Sequence, residues 1–409
     1  MERVVMKFGG TSVGTSDRIR ASAARVADEA AKGHAVAVVV SAMAGETDRL
    51  LELAGAHGGA LGQVETDVVL TAGEQVSAAL MALELGARGL KAQSFLGWQA
   101  RIETQGPPGS SRISALDAAP VLAALEQGII PVMAGYQGIG PDNRLRTLGR
   151  GGSDLSAVAL AAALGARCDI YTDVDGVYTT DPRIEPRARR IPAISYDEML
   201  ELAAQGAKVL QTRSAEMAKA RGVRLRVLSS FSNDPDAEGT EVVDADLISE
   251  RRIVSGVAYA RDQARIGLLG VSDQPQAAAE VFGALADAEI GIDMIVQGRS
   301  RDAGTVNIEF TVDRRDLHAA LDVIDSAASG SGARDIVHET GLAKVSIVGI
   351  GLNRRADVAR ILFRALGEKN IAVKVIATSE IKISVLIANE SVELAVRALH
   401  SAYGLDAAG

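Results

Sequence analysis

Residues 35 to 40, Ala-Val-Ala-Val-Val-Val, form an unbroken β-branched run of the kind that is buried on both faces of a parallel sheet. Further strands are expected at 3–8, 91–95, 129–134, 169–172 and 224–228, with helical patterns between them. One helix is expected through Ile19, Ala23 and Val26 toward Gly33, another from Leu155 to Leu164. This alternation specifies an α/β chain, and the chemistry is then expected where parallel strands end, at their carboxyl termini.

The strand ends carry suitable residues. Lys7 closes the first strand and Gly9-Gly10 follow it, so an ammonium can stand beside phosphates cradled by glycine backbone. A lysine inside Val-Val-Met-Lys-Phe leaves water only if it finds an anionic partner. Ser41 and Thr47 flank a second glycine-bearing loop, where each hydroxyl either meets a ligand or caps a helix. Glu74 is read as lying at a helix start, where the helix dipole would favour a carboxylate with or without a ligand.

The stretch Leu148-Gly-Arg-Gly-Gly-Ser-Asp154 runs into the 155–164 helix and reads as an anion site. Arg150 adds a forked cation, Ser153 or Asp154 is expected to cap the helix, and Gly165 to stop it. After the 169–172 strand, Thr172, Asp173, Tyr178, Asp181 and Arg183 fall in one loop able to hold ribose and phosphates, with Lys208 as a second cation. Gly-Lys-Ser/Thr is missing, which excludes a P-loop, and the protein-kinase motifs are missing too. The five histidines are scattered without metal-ligand spacing, so direct metal ligands stay unassigned.

At 409 residues the chain requires two or three domains. Its net charge of −9 and 3% aromatic content argue against nucleic acid or an anionic membrane as partner. A single cysteine, Cys168, fits a reducing cytosol, and with neither a signal pattern nor an apolar stretch judged long enough for a bilayer the expected location is the cytoplasm.

The character of the chain changes near residue 250. From there a degenerate repeat emerges: runs at 266–272, 290–296 and 304–312 enclose a helix through Ala278, Val281, Phe282 and Leu285, and runs at 345–351, 371–376 and 381–387 enclose a helix through Val358, Ile361, Leu362 and Leu366. Two βαββ modules in tandem, each with a second helix, are the expectation.

Taken together, Lys7-Phe-Gly-Gly-Thr-Ser12, Gly149 to Asp154, Thr172 to Arg183 and the tandem repeat closely resemble the bacterial aspartate kinases that lack an appended dehydrogenase, over nearly the whole chain. The resemblance implies an amino-acid-kinase fold, a mainly parallel central sheet with helices on both faces, followed by two ferredoxin-like βαββαβ ACT modules. It implies domains at 1–248, 264–336 and 342–409, with the strand 252–260 as a candidate addition to the last. The activity implied is transfer of phosphate from ATP, with Mg²⁺, to the β-carboxylate of L-aspartate, giving 4-phospho-L-aspartate at the start of lysine, threonine and methionine biosynthesis.

By the same resemblance Lys7, Gly9 and Gly10 line the phosphate path, and Thr172, Asp173, Tyr178, Asp181, Arg183 and Lys208 hold ATP. Ser41, Thr47, Glu74, Arg150 and Ser153 hold aspartate, and Asp154 orients the lysine. Asp273, Gln274, Ala278, Ile292, Asp293 and Gln297 match the family's effector pocket. The second module departs from that pattern at Ala372-Val373-Lys374, so effector binding is expected in the first, with threonine favoured over lysine alone. A homo-oligomer through the ACT modules completes the implied partners, and whether a shorter regulatory chain is made separately and joins it is left open by the sequence. The rivals are another member of the kinase superfamily, which the ACT tail disfavours, and an amino-acid sensor with a dead kinase domain, which retention of Lys7, Arg150 and Asp154 disfavours.

Overall fold

The computed structural model describes residues 2–204, 210–232, 238–248, 252–331 and 333–407. The chain forms two compact units, Met1–Val177 with Arg190–Glu250, and Tyr178–Arg189 with Arg251–Gly409.

The first unit begins with β1 (Arg3–Phe8), α1 (Ser16–Ala31), β2 (Ala35–Val40), α2 (Glu46–Ala56), α3 (Val64–Ala87) and β3 (Ala92–Phe95). It continues through β4 (Ile102–Gln105), β5 (Arg112–Leu116), α4 (Ala119–Glu126), β6 (Ile130–Ala134), β7 (Gln137–Ile139), β8 (Leu145–Thr147), α5 (Gly152–Leu164) and β9 (Arg167–Thr172). It ends with β10 (Ala193–Ser195), α6 (Tyr196–Ala204), α7 (Thr212–Arg221), β11 (Leu225–Ser229) and β12 (Thr240–Val243). Eight strands form the main sheet in the order β10-β12-β11-β9-β1-β2-β6-β3, and all its pairings are parallel except β11 with β12. A second sheet, β5-β4-β7-β8, lies in the same unit.

Alternation along β1 decides which helix each side chain meets. Val4, Met6 and Phe8 join one core with Ile19, Ala23 and Val26 of α1 and Ala78, Met81 and Leu85 of α3. Val5 and Lys7 therefore face the opposite side of the sheet, where α5 packs on β1. Burying these side chains contributes about 1.5–3 kcal/mol each relative to exposure, so a register slip that turned Lys7 into the α1/α3 core would be strongly disfavoured.

The expectation that no apolar stretch is long enough for a bilayer needs correcting, because α3 spans 24 residues and is apolar enough by composition. The helix carries Asp67 and Glu74 as buried groups, and its Leu70, Ala78, Met81 and Leu85 are core side chains of this unit.

The second unit contains β13 (Gly256–Ser272), α8 (Pro275–Asp287), β14 (Asp293–Arg299), β15 (Thr305–Asp313), α9 (Leu317–Ser331), β16 (Asp335–Val348), α10 (Ala356–Glu368), β17 (Val375–Thr378), β18 (Lys382–Ala388) and α11 (Val392–Ala402). The repeat is visible as two βαββα passages feeding one six-stranded sheet, β14-β15-β13-β16-β18-β17. The two long strands serve both halves: Arg265–Leu269 of β13 pair with Asp335–Glu339 of β16, while Gly256–Ala260 pair with Lys344–Val348. One core gathers Ile266, Leu268, Val281, Leu285 and Phe310, and another gathers Val257, Val345, Ile347, Leu362 and Leu399.

Candidate active site

A cleft of about 460 Å³ opens in the first unit beside the carboxyl ends of β1, β2 and β6. Among its lining residues are Lys7, Gly10, Ser41, Thr47, Glu74, Arg150, Ser153 and Asp154. Separate stretches of sequence therefore converge on one volume.

Lys7 is 7% exposed and its Nζ lies 2.5 Å from Asp154 Oδ1. An ammonium carries three N–H donors and this pair occupies one of them, which leaves the others for a ligand. Asp154 reaches it because of how α5 begins. Gly151, not Ser153 or Asp154, occupies the N-cap position, with φ 74° and no side-chain cap, which corrects the expected capping. The left-handed glycine turns the chain one step earlier, and Ser153 and Asp154 fall in the first helical turn with their side chains on the cleft. Gly149 is also left-handed at φ 72°, and Arg150, between the two glycines, is exposed in the cleft and makes no ion pair among the described residues. Gly165 ends α5 in the left-handed conformation expected of it.

Gly9 and Gly10 permit close approach. A Cβ at Gly10 would stand 3.0 Å from the Ala42 carbonyl oxygen, and one at Gly9 would stand 3.5 Å from Lys7 Nζ. Gly45 begins α2 at φ 80°, which puts Thr47 in the first turn of that helix, half-buried on the cleft wall with Ser41.

Glu74 is not at a helix start; it lies in the middle of α3, so the dipole argument for it falls away. Its Oε1 accepts the Ala42 N–H at 3.0 Å, while Oε2 is buried without a hydrogen-bond partner among the described residues. Burial pushes this carboxyl up to about 7, opposed by the Ala42 N–H and by Lys7. An orphaned carboxylate oxygen facing a polar cleft is poised for a cationic group of a ligand.

The nucleotide residues are distributed differently. Thr172 ends β9 and Asp173 follows it in the first unit, with the Thr172 hydroxyl donating to Asp173 Oδ1 at 3.1 Å. Tyr178, Asp181 and Arg183 belong to the second unit. Asp181 pairs with Arg183 at 2.8 Å and accepts the Tyr259 phenol at 3.0 Å; the Arg183 hydrogen bonds hold its carboxyl below the ordinary range. Lys208 lies outside the described residues.

Of the effector candidates, Asp273, Gln274 and Ala278 cluster where α8 begins, and Ile292, Asp293 and Gln297 lie at and along β14. Burial raises Asp293, but its ion pair with buried Lys344 outweighs that and leaves the carboxyl below its ordinary range.

Tyr136 also lines the cleft, at φ 68°, and sequence reasoning missed it. The signal was available: Gly135-Tyr136 directly follows β6 as Gly9-Gly10 follow β1. A Cβ at Gly135 would stand 2.8 Å from Ser153 Cβ, so that glycine is what lets β6 approach α5.

Comparison with known proteins gives a consistent picture. Residues 2–229 match the amino acid kinase family, and residues 267–327 and 345–403 match the ACT domain. An aspartate kinase of Pseudomonas putida is 46% identical over 409 residues, covering 100% of this chain and 98% of that protein. An aspartokinase of Thermus thermophilus is 46% identical over 410 residues, covering both chains fully at 100%. Among solved structures, E. coli aspartokinase III in complex with aspartate and ADP superposes with a TM-score of 0.80 at 29% identity, covering 98% of this chain and 99% of that one. The same enzyme in complex with lysine and aspartate gives 0.76 at 28% identity, covering 99% and 100%.

Proposed function

We propose how the work is divided within this chain, which belongs to the aspartate kinase family and phosphorylates aspartate at the expense of a nucleotide. The transfer takes place in the cleft of Lys7, Glu74, Arg150 and Asp154, within a catalytic domain over residues 1–248; residues 264–336 and 342–409 are the regulatory ACT modules. The convergence of Lys7, Asp154, Arg150 and Glu74 on one cleft carries this reading.

The acceptor is a carboxylate, already ionised at neutral pH, so the reaction needs no general base. What it needs is alignment of the β-carboxylate with the γ-phosphorus and neutralisation of charge on the moving phosphoryl group. Lys7 supplies a cation at that point, held in place by Asp154, and the Gly9-Gly10 segment lets phosphates approach the backbone with no side chain in the way, the Gly9 N–H itself being donated to the Tyr171 carbonyl. Arg150 suits a bidentate grip on the α-carboxylate, and the free oxygen of Glu74 suits the α-ammonium, with Ser41, Thr47 and Ser153 donating or accepting around them.

ATP is held by Thr172, Asp173, Tyr178, Asp181, Arg183 and Lys208 in this proposal. Mg²⁺ would accompany the nucleotide, since it is ordinarily held by phosphate oxygens, water and one or two carboxylates. When bound it offsets phosphate charge.

The ACT pair is proposed to carry feedback inhibition by threonine, alone or with lysine, through Asp273, Gln274, Ala278, Ile292, Asp293 and Gln297 of the first module. The supporting feature is that Lys374 of the second module, standing opposite in the repeat to Asp293, places a cation where the first has a carboxylate.

The test is formation of acyl phosphate, trapped as the hydroxamate, with aspartate and glutamate compared side by side in the presence of ATP and Mg²⁺. Activity on aspartate with little on glutamate supports the assignment of the cleft; equal use of both contradicts it.

A further inference from the structure

Asp67 belongs to no part of the site just described. It lies on α3 two turns before Glu74, is fully buried at 0% exposure, and makes no ion pair among the described residues. Its partners are hydrogen-bond donors from distant stretches. Oδ2 accepts the backbone N–H of Gly109 at 3.0 Å and of Thr147 at 2.9 Å, and Oδ1 accepts the Thr147 hydroxyl at 2.8 Å. A buried carboxylate is costly unless it is fully hydrogen-bonded, so its place here calls for a function beyond filling space.

The groups it holds support the Arg150 turn. Thr147 ends β8, and the next residues are Leu148, Gly149 and Arg150. The Gly109 carbonyl buttresses that turn, since a Cβ at Gly149 would stand 3.2 Å from it. From the other side, Arg213 donates to the Leu148 carbonyl at 2.7 Å and the Ser111 carbonyl at 3.2 Å. The Leu148 N–H donates to the Tyr136 carbonyl at 2.9 Å, and the Thr147 side chain faces the Tyr136 phenol. Two left-handed glycines on either side of Arg150 make the turn easy to deform, so its position depends on such external bonds.

We propose that Asp67 is a positioning residue for the aspartate-binding end of the cleft, fixing Gly109 and Thr147 so that Arg150 and Tyr136 meet the substrate in one geometry. This rests on the reading that Arg150 grips the substrate α-carboxylate. The role is one of geometry rather than charge. In Asp67→Asn the amide oxygen can take the two backbone N–H groups while the amide nitrogen donates to the Thr147 hydroxyl, so all three links survive.

The experiment measures aspartate KM, ATP KM and kcat for Asp67→Ala, Asp67→Asn, Thr147→Val and Arg150→Ala in the full-length chain. Asp67→Ala is expected to raise the aspartate KM by on the order of tenfold or more, with the ATP KM within about twofold, because misplacing a binding group affects only the ligand it serves. Asp67→Asn should restore the aspartate KM to within about threefold of the parent, and Thr147→Val should raise it with ATP binding unmoved. Equal rises in both KM values, or no rise in either Asp67→Ala or Thr147→Val, overturn the proposal. Should Asp67→Ala fail to fold, Thr147→Val decides alone. If Arg150→Ala leaves the aspartate KM intact, the substrate reading itself falls; if it raises that KM while the Asp67 and Thr147 variants do not, only the positioning role falls.

Discussion

Lys7, at the end of β1, and Asp154, in the first turn of α5, meet at 2.5 Å in a pair that is almost wholly shielded from solvent. Removing one partner of such a pair leaves the other charge uncompensated, so the pair couples catalysis to local stability. Lys7→Ala should lower kcat by roughly a hundredfold or more while leaving the aspartate KM within a few-fold, the scale for one lost transition-state electrostatic partner. Steady-state kinetics checks this, and normal turnover in the variant would remove Lys7 from the mechanism.

Glu74 should make aspartate binding pH-dependent. Its carboxyl, pushed up to about 7 by burial, becomes a better partner for an ammonium as pH rises through that value. The aspartate KM is expected to fall between about pH 6 and pH 8 in the parent, and to lose that trend in Glu74→Gln, with the KM high throughout. A pH profile unchanged by the substitution would contradict the role.

The same shift has a stability consequence of opposite sense. In the unfolded chain the group ionises from about 4.5, in the folded one from about 7, so the contribution is fully present below 4.5 and is lost as pH rises to 7. At pH 8, free of ligand, the difference amounts to about 3 kcal/mol, and Glu74→Gln should unfold at higher temperature or denaturant than the parent. A less stable variant at pH 8 would show that the carboxylate is better solvated than its burial implies.

Gly73 precedes Glu74 on α3, and a Cβ there would stand 2.8 Å from Ala42 Cβ. Gly73→Ala must displace the loop whose Ala42 N–H holds Glu74. We expect a rise in aspartate KM of several-fold at nearly unchanged ATP KM, since overpacking here costs about 1–3 kcal/mol and is felt first by the adjacent loop. Kinetics matching the parent would mean the loop yields without disturbing Glu74.

Effector control is expected to centre on the first ACT module. Asp293→Ala, which also leaves the buried Lys344 without its half-exposed ion-pair partner, should weaken inhibition by threonine by on the order of tenfold in the concentration required, as expected when a charged contact to a ligand is lost. Inhibition curves with threonine and lysine, singly and together, measure it; unaltered inhibition would move the effector site away from Asp293.

Much of this architecture was legible in the residues. The apolar runs at 3–8 and 35–40 appear as strands with those bounds, because each stops at a polar or glycine-bearing loop, Gly9-Gly10 after the first and Ser41 after the second. The cleft residues were legible because strand ends and glycine turns mark the few places where backbone meets ligand. Other features depended on distance in the chain. Glu74 looked like a helix-start carboxylate since nothing local reveals that α3 begins at Val64, ten residues earlier. Asp67 was silent, as a buried acid is recognisable only once Gly109 and Thr147 have been brought to it. The sharing of β13 and β16 between the two repeats likewise arises from pairing, which no periodicity encodes.

The most direct test of the central claim, that aspartate is phosphorylated in the cleft between Lys7 and Glu74, is a hydroxamate-trap assay of the parent, Lys7→Ala and Glu74→Gln over a full range of aspartate concentrations. The account predicts that Lys7→Ala loses kcat with aspartate affinity largely kept, while Glu74→Gln loses aspartate affinity with ATP affinity kept. Parent-like kinetics in both variants, or effects confined to ATP in Glu74→Gln, would contradict it.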